Sequence, residues 1–183
     1  MALASRPPGP SPSWYRKWPP GLRRLAEASD RVPSIPFRAS PALRDLVAAL
    51  PGALATGRAG DVQLLAERLA VGICRALGVP PVRVRIEMRR PPLRGGELQG
   101  LYQPANGPGR DRITVWMLTA KLGRVVAFKT FLRTLLHELC HHLDYHLLNL
   151  RDSLHTQGFY QRESSLFHAL DAGSVDGAKV DRA

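Results

Sequence analysis

Between about Val125 and Leu150 the chain places Phe128, Phe131, Leu132, Leu135, Leu136, Leu139 and Leu143 at the spacing of one long amphipathic helix. Into that apolar frame it sets His137, Glu138 and His141. Burying two imidazoles and a carboxylate there is costly unless something satisfies them, and a cation does so. At 3.6 residues per turn the two histidines stand about 40° apart around the helix and one turn apart along it, so both rings reach one ion. Zinc accepts neutral imidazole nitrogens, and a catalytic zinc keeps one position open for water. Glu138, beside the first histidine, is placed to take a proton from that water, which is the chemistry of the His-Glu-x-x-His pattern.

A catalytic zinc takes a third protein ligand. His142 lies about 100° from His141, and His146 about 180° from His137, so neither points at the same ion; both are expected at the surface or in packing. His155 follows His141 after thirteen residues, enough chain to turn and come back, and is the first choice. Glu163, on a predicted final helix, is the second choice; as a structural carboxylate it would pair with Arg162 or a helix neighbour instead. Asp144 is a candidate to orient His141, with an exposed helix carboxylate as the alternative. Tyr102 and Tyr160 are candidates to place a phenol near a developing oxyanion, against the commoner reading of buried aromatics.

Around this helix the pattern is mixed. Residues 42–50 predict a short helix closed by Pro51 and Gly52, and a longer one follows Asp61 as N-cap, with Leu64, Leu65, Leu69, Ile73 and Leu77 as its apolar stripe and Gly78 at its end. Residues 82–88 alternate strictly between apolar and charged positions, a half-buried strand. Residues 96–102 and 112–118 read as two more strands, and Gln157 to Leu170 as a last helix. The fold class is therefore α+β: helices around a small three-stranded sheet. Nine of the sixteen prolines fall in residues 1–41, which predicts a mostly disordered, Pro/Arg-rich arm ahead of one domain at 42–170 and a flexible tail at 171–183.

His-Glu-Leu-Cys-His followed by His155-Thr-Gln-Gly-Phe159, with a Gly-Leu-Tyr segment upstream, resembles the SprT-like zinc metallopeptidases over about residues 42–170. The resemblance implies a zincin-like domain of the minigluzincin type. It also implies zinc (Zn2+) on His137, His141 and His155, with Glu138 as general base in peptide-bond hydrolysis. Two departures stand out. Thr156 and Gln157 precede Gly158 where members often have glycine directly, and two cysteines cannot supply the C-terminal Cys₄ ribbon that many members carry. The family includes proteases acting on DNA-crosslinked protein; without the ribbon the resemblance alone does not carry that substrate over, and an association with DNA rests on the basic residues of the chain.

The net charge of +11 is divided: residues 1–44 carry eight Lys/Arg against two acids, and residues 45–170 carry sixteen against ten. A basic arm can contact nucleic-acid phosphates without reading sequence, and Trp14, Tyr15 and Trp18 beside Arg16 and Lys17 can stack on bases. Arg83, Arg85, Arg89, Arg90 and Arg94 form a second basic stretch, with a solvated strand face as the alternative reading. A zinc-stabilised nucleic-acid or protein binding module without proteolytic activity is the competing function. Cys74 and Cys140 are too few for a disulfide framework and read as reduced core residues. No apolar run reaches the roughly 18 residues of a membrane span, and Met1 to Trp18 lack the apolar core of a secretory signal, so a cytoplasmic location is expected.

Overall fold

The computed structural model describes residues 13–89, 91–93 and 96–171. Arg90, Arg94 and nearly all of the predicted tail lie outside the described residues. The alternating segment forms strand β1 (Arg83–Arg89), with Val84 and Ile86 in the core and Arg83 and Arg85 exposed. It pairs in parallel with β5 (Arg112–Leu118), whose other edge pairs antiparallel with β4 (Gly100–Gln103), giving the order β1-β5-β4. Ile113 to Met117 are all buried, as a central strand requires. The strand read at 96–102 is split. Only Gly100 onward joins the sheet, while β2 (Pro92–Leu93) and β3 (Gly96–Glu97) make a separate short hairpin.

Among the described residues there are five α-helices, α1 (Pro20–Asp30), α2 (Pro41–Ala55), α3 (Ala59–Leu77), α4 (Phe128–His146) and α5 (Gln157–Asp171), of which α3 and α4 pack on the sheet and the others on helices. Ser40 caps α2 through its hydroxyl, which accepts the Leu43 N–H. That helix runs through Pro51 where a stop was expected, because Leu50 and Leu54 on either side of the proline are buried in the core and offset the missing hydrogen bond. In α3 the buried stripe is Val62, Ala66, Leu69, Ala70, Ile73 and Cys74; Leu64 faces solvent, and Asp61 lies inside the first turn instead of capping it. The helix ends as expected at Gly78, whose φ of 69° is left-handed. The segment before α4 is extended because the Val126 N–H donates to the Met117 carbonyl, so the helix starts three residues later than its periodicity suggests. Both cysteines are free and buried.

The expectation of a mostly disordered arm is corrected by the described residues. Ser13–Lys17 forms a 3-10 turn with Tyr15 fully buried, and α1 packs against α5. Proline density misled because Pro20 occupies the first turn of α1, where a missing N–H costs nothing. Ser29, in the last turn of that helix, is buried and its hydroxyl meets that of Thr156, 2.7 Å away. Among the described residues no helix is long and apolar enough to cross a membrane.

Candidate metal centre

Helix α4 presents His137 and His141 on one face, and the loop after it returns His155 to them. The Nε2 atom of His155 lies 3.0 Å from that of His137 and 3.1 Å from that of His141. Three imidazole nitrogens at this spacing are a group that can hold a metal ion. Burial, reinforced by the charges His137 and His155 would carry, holds His141 down at about 3, and burial also lowers His155. Their lone pairs thus stay free for a cation at neutral pH. Phe159 is fully buried beneath all three rings, with centroids 4.7 to 5.1 Å away.

The opposite edges of two rings are held. His137 Nδ1 lies 3.1 Å from Glu163 Oε2, so Glu163, the second-choice ligand, instead meets the outer nitrogen of a first-choice one. Its other oxygen faces Arg133 at 3.5 Å; no pairing with Arg162 forms. His141 Nδ1 is 2.7 Å from the Ser153 hydroxyl, which donates to Asp144 Oδ2 at 2.9 Å. Asp144 therefore acts on His141 through Ser153. Ser153 has a φ of 36°, a strained conformation for a residue with a side chain, and it is what turns the hydroxyl between the two groups. Nothing in the linear sequence marks Ser153.

Asp144 is in turn locked by Arg162, which is fully buried. Its Nε and Nη2 donate to the two carboxylate oxygens at 3.1 and 3.0 Å, and its remaining N–H groups donate to the Ser29 hydroxyl, the Ser29 carbonyl and the Val32 carbonyl. All five guanidinium donors are used. Helix α1 and helix α4 are thereby tied to one residue, and the loop carrying His155 joins them through Ser153 and Asp144. Gly158 completes the junction: its N–H donates to Asp30 Oδ1 at 2.6 Å, and a Cβ there would lie 2.4 Å from the Ser29 carbonyl oxygen.

Glu138 turns towards the sheet. Its carboxylate packs on Gly100 of β4 so closely that a Cβ at that position would lie 2.5 Å from Oε1. Burial pushes its carboxyl up to about 7, against the lowering effect of His137. The carboxylate and the three histidines line one cleft of about 560 Å³, whose other wall is Leu98 to Tyr102. The free strand edge at this cleft belongs to β4, and β5 is central.

Tyr102 gives its hydroxyl to Asp111. Tyr160 stands half exposed, its ring 6.0 Å from that of His155 and 6.2 Å from that of His137. His142, expected at the surface or in packing, is fully buried and joins His146 at Asp111. Comparison with protein-family models, curated proteins and solved structures gives no match.

Proposed function

We propose that the chain is a zinc-dependent metallopeptidase of the SprT-like, zincin-like kind, acting on protein substrates. One observation carries the reading: His155 Nε2 stands 3.0 and 3.1 Å from the Nε2 atoms of His137 and His141, in an open cleft that also holds the buried carboxylate of Glu138. His137, His141 and His155 would hold the ion, leaving room for water, as catalytic zinc sites with three protein ligands do. When bound, zinc supplies a Lewis acid that acidifies water and polarises a carbonyl.

The rest of the chemistry belongs to the chain. Glu138 accepts the proton of the attacking water and delivers it to the leaving amine nitrogen. A neighbouring cation favours its ionised form, and burial limits how far that goes, so it remains a base that can return its proton. An extended peptide would lie along the free edge of β4, adding main-chain hydrogen bonds beside Gly100 and Leu101. Gly100 admits the carboxylate, and Glu163 and the Ser153–Asp144 pair fix the two helix imidazoles. Non-specific DNA contact through the exposed Arg16 and Lys17 of the arm, and through Arg83, Arg85 and Arg89 on β1, would bring the enzyme to DNA-bound substrates.

The zinc-loaded protein is expected to cleave casein, to stop when a chelator removes the ion, and to resume when zinc is restored. A DNA-bound protein substrate, assayed with and without competing DNA, measures the contribution of the basic surface. Cleavage unaffected by chelation, or none of either substrate by fully loaded protein, contradicts the proposal and favours a binding module.

A further inference from the structure

On a different face of α4 from the three-histidine cluster, a second set of donors converges. Asp111 Oδ2 lies 3.0 Å from His142 Nδ1 and 2.7 Å from His146 Nε2. These separations resemble the 3.0 and 3.1 Å of the first centre, and the three residues form the other group among the described residues that can hold an ion.

The proton arrangement gives the set its direction. His142 Nε2 is 2.8 Å from the Pro80 carbonyl, which can only accept, so Nε2 carries the hydrogen and the neutral ring presents its lone pair at Nδ1. That lone pair faces a carboxylate oxygen, another acceptor, in a place where His142 is fully buried. Two acceptors 3.0 Å apart repel, and a cation between them makes both contacts favourable. The carboxylate is also fixed from behind: Oδ1 accepts the Ala105 N–H at 2.9 Å, and Oδ2 accepts the Tyr102 hydroxyl, which stands 3.4 Å from His142 Nδ1. Groups that orient ligands in this way are the usual outer partners of metal sites. The His146 side chain is 32% exposed, which leaves the ion a way in.

We propose that Asp111, His142 and His146 bind a second divalent cation of the zinc class. Two imidazoles and one carboxylate suit zinc, with a position left for water. The site would clamp α4 to the start of β5 and to the turn after α3, since Asp111, His142 and the Pro80 carbonyl come from those three places. It is independent of the peptidase reading.

The full chain, loaded with zinc and freed of excess by gel filtration, is expected to carry two ions by elemental analysis. His146→Ala should carry one, and His141→Ala should carry one. His146→Cys keeps a donor, so its cobalt-loaded form should show a thiolate-to-cobalt charge-transfer band that the parent lacks. A zinc content unchanged by His146→Ala, or no such band in the cysteine variant, overturns the proposal in favour of a purely protonated His–Asp network. Loss of the only ion on His146→Ala, with none lost on His141→Ala, would support this site and sink the three-histidine centre.

Discussion

Glu138→Gln is expected to cut hydrolysis of an unfolded protein substrate by roughly 100- to 10,000-fold, the usual contribution of a general base, while leaving the zinc content of the first centre unchanged. Glutamine has the shape of the carboxylate and fits the same space against Gly100, so the cleft stays intact. What it lacks is basicity. Glu138 is not among the three donors that converge, so removing its charge does not remove a ligand. Steady-state cleavage and elemental analysis on the same preparation separate the two effects. Full turnover by the variant would end the role assigned to Glu138, and loss of zinc with activity would make it a ligand.

The largest effect on stability is expected at Arg162. Its five donors all meet acceptors inside the protein, and Asp144 beside it is fully buried. Arg162→Leu leaves a buried carboxylate without its charged partner and the Val32 carbonyl without its donor, while the Ser29 carbonyl keeps only the Val32 N–H. Breaking a buried pair from one side costs about 3–5 kcal/mol. At about 2–4 °C per kcal/mol for a chain of this size, the apo protein should melt roughly 10 °C lower. Pairing Arg162→Leu with Asp144→Leu should recover part of the loss, because no charge is then left buried alone. A shift of only a degree or two in the single variant would mean that the junction of α1, α4 and α5 is not held by this residue.

The sequence carried the centre more legibly than its supports. His137, Glu138 and His141 could be read because their spacing along a helix is their geometry, and His155 because one loop length permits return. Ser153 could not, since a serine in a loop carries no periodicity and its role depends on a φ of 36°. The packed arm was missed for a related reason: proline count reports the cost of making helices, whereas the arm is fixed by Ser29, Asp30 and Val32 meeting residues more than 120 positions away. In the sheet, Ile113, Val115, Trp116 and Met117 leave Thr114 as the one polar position of the run, the mark of a central strand, and all five residues are buried. His142 and His146 were set aside because they cannot share an ion with His141; that argument left open that they share one with Asp111.

The central claim is that His155, and not Glu163, completes the first metal centre. Competitive titration of zinc affinity at that centre tests it, comparing the parent with His155→Ala and Glu163→Ala in a His146→Ala background that silences the second site. Removing an outer hydrogen-bond partner lowers affinity by about 10- to 100-fold. Glu163→Ala is expected to stay within that range and still bind one ion, while His155→Ala falls well beyond it and loses most of its zinc on gel filtration. The reverse ranking, with zinc retained by His155→Ala and lost by Glu163→Ala, would contradict the three-histidine centre.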